Sequence, residues 1–333
     1  MTVGWGIIGM GDIADRVTAP AMADAKSNRL VAVMRRDLDR AKELADKHGA
    51  SRAYATVEEV LGDDEVDAVY VATPVHAHAE QTIQAAEHGK HVLCEKPMAM
   101  NVEEAEQMVE ACEANGVKLM VCYYQRFNRR HQKIKELLTA GEIGQVTAAR
   151  VTFSGFAPDN PESWRQKPEL SGGGNLMDCG SHCVDLLRYL VGEVTRVSAL
   201  VSTIAFDYAV DDTATMLLEM DGGAHAVVSS HWSTLIPDQQ ESSVLALYGT
   251  RGTIVSTPLR DKFSRGSLKL LTGTEQTEYH FEESTHAQLL DAFAASIERD
   301  EPVPITGQDG VAVSRVIAAA YQSSREGKAI TIG

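Results

Sequence analysis

Through the first third of the chain, nearly wholly apolar runs alternate with segments whose apolar residues recur three and four positions apart. "VGWGII", "RLVAVM", "VDAVYV", "HVLC" and "KLMVCYY" are the apolar runs. "RAKELADKHG", "TVEEVLG", "HAHAEQTIQAAEHG" and "NVEEAEQMVEACEANG" have helical spacing, and a short strand is expected near "RAYA". Strands apolar on both faces belong to a parallel sheet covered by helices on each side. The pattern predicts a doubly wound α/β domain over residues 1–122.

After Arg150 the alternation stops. "QVTAARVTFSGF", "VTRVSALVSTIA", "TATMLLEMDGGAHAVVSSHW", "SSVLALYGTRGTIVS" and "SLKLLTGTEQTEYHF" read as strands, with "MDGGAH" and "YGTRGTI" as hairpin turns. Between them, Val184, Leu186, Leu187, Leu190 and Val191 recur at helical spacing behind Asp178, which predicts a helix over 178–191 lying against a core. Closing helices are expected from about Thr285. Residues 123–333 therefore read as a second α/β domain with a large, mostly antiparallel open sheet. No internal repeat or low-complexity linker interrupts the chain.

At 333 residues the chain suits two domains with real cores. A net charge of -16 argues against nucleic acid and anionic membrane surfaces as partners. The opening "MTVGWGIIGMG" has neither a basic leader nor an apolar stretch long enough to span a membrane, so a cytoplasmic location is expected. Five cysteines, none in a C-x-x-C pair, read as free thiols. Cys179, His182 and Cys183 lack a second ligand cluster, and no metal site is expected.

"VGWGIIGMGDIADRV" is a strand, then Gly9-x-Gly11-x-x-Ala14, then a helical pattern. Gly9 permits a tight turn, Gly11 lets the backbone approach a pyrophosphate, and Ala14 lets the helix pack close to the strand. With Asp12 and Ile13 these form the candidate phosphate turn of a Rossmann dinucleotide site. An acid at the end of the second strand would accept hydrogen bonds from the ribose of NAD. Here "VMRRDLDR" offers Arg35 and Arg36, with Arg40 a further candidate, and guanidinium groups bind a 2′-phosphate, which argues for NADP. Two alternatives stay open: a solvated arginine pair on a loop, and Asp37 on the ribose of NAD if the register slips by two.

Ligands in open parallel sheets bind beyond the carboxyl ends of the strands. Thr73, Pro74, His76, Glu95 and Lys96 follow such strands and are candidate cofactor ligands; Lys96, Tyr124 and Arg126 are candidates for the substrate. Trp164 and Arg165 lie in "NPESWRQKPELSGGG", a loop leading into the 178–191 helix, and Trp164 has packing as its alternative. Asp178 and His182 are four apart, so they share a helix face. One reading is a helix start, with Asp178 near the N-terminus and Ser181 as cap. The other is a general acid/base pair.

Taken together, "GIIGMGDIA", "ATPVHAHAEQ", "HVLCEKPMAM", "YYQRF" and "GGGNLMDCGSHCVDLLRYLVG" resemble the Gfo/Idh/MocA oxidoreductases, and the tail from "AFAASIERDEPVPITG" onward extends the resemblance over nearly the whole chain. "EKP" with the downstream "DxGxHxxD" is its specific part. The resemblance implies that Lys96, Asp178 and His182 form the catalytic group and that Pro97 follows a cis bond. It also implies homodimers or homotetramers formed through the outer face of the second sheet. Two positions depart from the common pattern: Val75 replaces a frequent asparagine, and Arg35 replaces the aspartate of NAD-dependent members.

On this reading His182 moves a proton, Asp178 orients the imidazole, and Lys96 hydrogen-bonds the reacting oxygen, if the helix docks where Lys96 is presented. Glu95 either orients Lys96 or turns to solvent. The expected function is NADP-dependent hydride transfer to or from a neutral sugar, cyclic ketose or polyol, of 1,5-anhydrofructose reductase or aldose dehydrogenase type. The alternatives are an NAD-dependent inositol or glycoside dehydrogenase and, from another class, a non-catalytic NAD(P)-sensing protein.

Overall fold

The computed structural model describes residues 2–25, 27–235, 243–259, 266–281 and 286–333. Thr285 and Ser242, named above as parts of expected elements, lie outside the described residues. The chain forms two compact units, Met1–Tyr124 with Thr285–Val311, and Gln125–Ser284 with Ala312–Gly333.

The first unit is built on six parallel strands: β1 (Val3–Ile8), β2 (Asn28–Met34), β3 (Arg52–Tyr54), β4 (Ala68–Val71), β5 (His91–Cys94) and β6 (Leu119–Val121). Their order is β3-β2-β1-β4-β5-β6, the doubly wound arrangement expected from the apolar runs. Every residue of β1 and β4 is buried. The order reverses between β1 and β4, so their carboxyl ends flank the switch-point crevice.

The covering helices begin where the side chains dictate. A π-helical turn at Ala14–Thr18 leads into α1 (Ala19–Asp24). Asp37 caps α2 (Leu38–His48), Thr56 and Glu59 form a capping box on α3 (Val57–Leu61), α4 spans His78–Glu87, and Asn101 caps α5 (Val102–Ala114).

The second unit carries a nine-stranded sheet. Its strands are β7 (Val146–Ser154), β8 (Val194–Ser202), β9 (Thr213–Met220), β10 (His225–His231), β11 (Val244–Gly249), β12 (Thr253–Thr257), β13 (Ser267–Thr272), β14 (Glu275–Tyr279) and β15 (Ile330–Thr331). The order is β14-β13-β12-β11-β7-β10-β9-β8-β15, and only the β7 and β10 pair is parallel among the pairings. "MDGGAH" and "YGTRGTI" do join antiparallel neighbours. Along β9, Ala214, Met216, Leu218 and Met220 are buried while Thr215 and Leu217 are exposed, the period of a half-covered sheet. Three helices, α6 (Arg129–Thr139), α7 (Pro168–Ser171) and α8 (Ser181–Leu190), belong to this unit.

Late in the chain α9 (Ala287–Glu298) returns to the first unit. Phe293 meets Trp5 with ring centroids 5.7 Å apart, both side chains fully buried. Trp5 Nε1 donates to Asn28 Oδ1 at 2.6 Å, and Asn28 Nδ2 donates to Asp291 Oδ1 at 2.9 Å. The helix thus both covers the indole and completes its polar edge. The division between units falls within the last helix, α10 (Gly307–Glu326). No helix among the described residues is long and apolar enough to cross a membrane.

On α6, His131 is fully buried, with Nδ1 2.9 Å from Gln125 O. Burial, and then the neighbouring Arg130 guanidinium, push its pKa from 6.5 down to about 3. An imidazole that protonates near 6.5 when unfolded but only near 3 when folded contributes stability that is whole above pH 6.5 and lost as pH falls toward 3. The expected loss is about 2 kcal/mol by pH 5. Thermal unfolding from pH 7 to pH 4 should show this slope, and His131→Asn should flatten it; an equally steep slope in the variant would exclude His131 as its source.

Candidate active site

In the first unit the candidates gather at the carboxyl ends of β1, β4 and β5. Gly9 follows β1 with φ at +89°, and a Cβ there would stand 2.6 Å from Thr73 Cγ2 and 2.7 Å from Thr73 N. Gly11 is different: a Cβ on it would find only Gly9 O, at 3.8 Å. Its face is open, and backbone can be approached there by a pyrophosphate, so the turn fits a dinucleotide. Ala14 is buried as the motif requires, Ile13 is half-buried, and Asp12 is exposed beside Arg16 at 3.6 Å. Asp15 is held below the usual carboxylate range by hydrogen bonds from Lys47 and His48.

At the end of β2, Arg35 is exposed and its Nη1 donates to Met10 O at 2.9 Å, which lays the guanidinium along the glycine turn. Arg36 is exposed as well. Arg40 pairs with Glu43. Asp37, the alternative ribose ligand, accepts the Arg40 amide at 3.1 Å as the cap of α2, so its carboxylate already has a structural partner.

After β4, Thr73 donates its hydroxyl to Gln81 Oε1 at 2.7 Å, Pro74 opens the short turn Val75–Ala77, Val75 is buried and His76 is exposed. Behind this loop lies His78, which the motif reading passed over. Its ring nitrogens are 3.0 Å from Pro97 O and 2.9 Å from Thr73 O, so either neutral tautomer donates to one of the two loops. Burial lowers its pKa and favours the neutral ring. The Lys96-Pro97 bond is cis, as the resemblance implied.

Glu95 does not turn to solvent. It is buried, accepts the hydroxyl of Tyr70, and accepts the Lys96 amide at 3.1 Å on its other oxygen. The Cys122 thiol, pushed up in pKa by burial and the Glu95 charge, lies near this carboxyl, and Tyr70 is reached by the Thr18 hydroxyl at 3.1 Å. Burial, reinforced by the Glu95 charge, pushes the Tyr70 phenol well above its ordinary pKa and keeps it a donor. The carboxylate therefore fixes the Lys96 backbone from beneath. Tyr124, also of this unit, packs its ring 4.9 Å from that of His286.

In the second unit the helix begins earlier than the expected start at Asp178. The helical run starts at residue 175, passes through a π-helical turn at Leu176–Gly180, and continues as α8. Ser181 is no cap, because its hydroxyl donates back to Asp178 O at 3.1 Å. Asp178 is half-buried on the π turn. His182 is buried, and its ring stacks on Phe153 of β7 at 5.3 Å with planes 10° apart. π-helical turns are rare and often mark functional sites. The two found here hold the segment after the glycine turn and the Asp178 segment.

Arg126 points at this helix. Its Nε lies 3.1 and 3.2 Å from the two Asp185 oxygens and its Nη2 lies 2.6 Å from Oδ1. Asp185, the last residue of the "DxGxHxxD" pattern, is fully buried, so this is an internal ion pair that braces α8. Trp164 is half-buried rather than in the core, with the Arg165 guanidinium 4.4 Å above its ring. All five cysteines are buried free thiols, and no group of three or more metal-ligating side chains occurs among the described residues.

His78, Tyr70 and Phe153 were absent from the motif reading, and Asp185 stood in it only as the last residue of "DxGxHxxD", with no role given to it. Phe153 had a signal, since alternation in "QVTAARVTFSGF" turns it to the buried face with Val151. Tyr70 and His78 had none, because a tyrosine within an apolar run and a histidine within a helix look like ordinary core.

A switch-point crevice with an open glycine turn defines a dinucleotide-binding enzyme class, and the comparisons agree. Residues 3–123 match the model "Oxidoreductase family, NAD-binding Rossmann fold", and residues 131–255 match "GFO/IDH/MocA C-terminal domain". The chain is 32% identical over 331 residues to D-xylose 1-dehydrogenase (NADP(+)) 2 of Haloferax volcanii, covering 98% of this chain and 99% of that one. It is 29% identical to 1,5-anhydro-D-fructose reductase of Ensifer adhaerens, covering 98% of each. The crystal structure of aldose-aldose oxidoreductase from Caulobacter crescentus complexed with glycerol superposes with a TM-score of 0.92 at 29% identity, over 99% of this chain and 100% of that one. The chain belongs to the GFO/IDH/MocA family and is an NAD(P)-dependent oxidoreductase.

The two glycines should separate by substitution. Gly9→Ala meets both a left-handed φ and a collision with Thr73, and should cost about 1–3 kcal/mol in urea unfolding. Gly11→Ala should unfold like the wild type yet bind the dinucleotide at least tenfold more weakly by fluorescence titration. Equal effects of the two on stability would refute the distinction.

Proposed function

We propose that this enzyme uses NADP and interconverts a hydroxyl and a carbonyl on a neutral sugar, cyclic ketose or polyol, with Lys96, Asp178 and His182 as its catalytic group. The observation that carries the cofactor choice is Arg35, whose guanidinium lies along the glycine turn at the end of β2 while Asp37 serves as a helix cap. A guanidinium there suits a 2′-phosphate and an acid would repel it. The relative named for NADP supports this reading, and the relatives named for xylose, anhydrofructose and aldoses support the substrate class. Thr73, Pro74, His76, Glu95 and the turn at residues 9–14 complete the cofactor contacts we assign, with Tyr124, Arg126, Trp164 and Arg165 toward the substrate.

The nicotinamide, when bound, supplies or accepts the hydride. His182 takes the proton from the substrate hydroxyl in oxidation and returns it in reduction, since a neutral imidazole has one ring nitrogen free to accept and, once protonated, to donate. Asp178 orients the imidazole and favours its charged form. Lys96 donates a hydrogen bond to the reacting oxygen and stabilises its anionic character. Glu95 sets the Lys96 backbone through the bond described above. Arg126, engaged with Asp185, meets the substrate only with what that ion pair leaves exposed.

Fluorescence titration with NADPH and NADH, followed by nicotinamide absorbance with aldoses, ketoses, 1,5-anhydrofructose and inositols, tests the proposal. NADPH should bind more tightly, Arg35→Asp combined with Arg36→Ala should reverse the preference, and His182→Ala or Lys96→Ala should lower turnover by about two to four decades. Unchanged selectivity would end the arginine argument. Tight binding with no turnover on any compound would favour a cofactor sensor.

We also propose that the outer face of the nine-stranded sheet joins copies of this chain as a homodimer or homotetramer. Leu217 and Val227, paired across β9 and β10, are 52% and 42% exposed, and Leu200 on β8 is 75% exposed. Contiguous exposed apolar side chains of this kind mark interaction surfaces. Light scattering should return a multiple of the chain mass, which Leu217→Glu should reduce; a monomer at micromolar concentration would sink this assignment.

A further inference from the structure

The helical run that carries Asp178 and His182 starts without a cap from its own sequence, for Asn175 makes no side-chain capping bond. A helix start leaves its first N–H groups without intrahelical acceptors. Here a residue from a distant part of the chain receives them, and a second holds it in place. Asp211 accepts three successive amides: Gly174 on Oδ1 at 2.9 Å, Asn175 on its main-chain oxygen at 2.8 Å, and Leu176 on Oδ2 at 2.7 Å. Tyr321 of α10 donates its hydroxyl to Asp211 Oδ1 at 2.6 Å and so holds the accepting carboxylate. The first bond within the run then follows, from the Asp178 amide to Gly174 O at 3.0 Å.

The glycines ahead of the helix make this approach possible. A Cβ on Gly174 would stand 1.9 Å from Asp211 O, and one on Gly173 would stand 2.2 Å from the Tyr321 hydroxyl oxygen. A local Ser or Asp cap ties a helix only to the residues just before it. This cap ties the first turn to the entrance of β9 and to α10, and its carboxylate also complements the helix dipole.

We infer that Asp211 and Tyr321 are positioning residues that replace an N-cap, set the rotation of the first helical turn, and thereby aim Asp178 and His182. The inference rests on the catalytic reading of Asp178 and His182. Tyr321→Phe removes one hydroxyl and keeps the ring. Asp211→Asn turns one acceptor oxygen into a donor facing a backbone N–H.

The test measures NADPH affinity, kcat and KM across pH, and the Cε1 proton resonance of His182 through a pH titration, assigned by its loss in His182→Ala. Both variants should bind NADPH within about twofold of the wild type, lose about tenfold or more in kcat with a smaller change in KM, and shift the His182 resonance and its midpoint. An unchanged kcat and resonance in both would overturn the inference. Failure of Tyr321→Phe to fold would overturn it too, by marking the pair as general support of the fold; if only Asp211→Asn fails to fold, Tyr321→Phe decides alone. Should His182→Ala turn over at full rate, the catalytic reading fails instead, and the resonance shift still reports on positioning.

Discussion

A strand buried on both faces can present a polar side chain to solvent or a ligand only at its ends. In β1 and β4 every residue is buried, so the chemistry of the first unit collects beyond their carboxyl termini, where the turn at residues 9–14, the Thr73 loop and the E-K-P loop stand side by side. Burial also decides what supports those loops. Glu95 lies inside with Tyr70, Thr18 and Cys122, and it spends one oxygen on the Lys96 amide. His78 spans from Thr73 O to Pro97 O. A buried carboxylate is costly unless each oxygen has donors. The same need for donors that explains the network also holds the lysine loop in place.

The second unit solves a related problem on a half-covered sheet. Its sheet offers Phe153 to the His182 ring, Arg126 braces the far part of α8 through Asp185, and Asp211 with Tyr321 receives the amides at the start. Asp211 and Asp212 divide the work: Asp212 accepts the amides of Ile204, Ala205 and Phe206, while its neighbour organises the helix. Both carboxylates act on backbone, which is why they stand at the mouth of an apolar strand. An acid pair in that place, like Asp178 and His182 at the mouth of an apolar helix, is a sequence signal for buried polar work.

Much of this was legible in the residues. Alternating apolar runs and helical patterns predicted the parallel sheet, period-two runs predicted the antiparallel one, and "MDGGAH" and "YGTRGTI" turned where expected. The expected start of the helix carrying Asp178 and His182 missed by three residues, because Asp178 looks like a first-turn acid when the true acceptor of the first amides is Asp211. Glu95 was ambiguous because a carboxylate after a strand has equal access to solvent and to the interior. What resolved it was Tyr70, 25 residues earlier on the neighbouring strand β4 and indistinguishable by pattern from any other core aromatic.

The sequence by itself determined the periodicities, the caps at Asp37, Thr56 and Asn101, and the glycine turn with its arginine neighbours, since each depends on residues within one or two turns of each other. Only the tertiary structure decided the strand order, the return of α9 to cover Trp5, and the capping of the helical run that carries Asp178 and His182 from a position 35 residues away. Local patterning is set by near neighbours and repeats along the chain. The choice of a distant partner depends instead on which buried group still lacks a donor or a covering surface once the elements have packed.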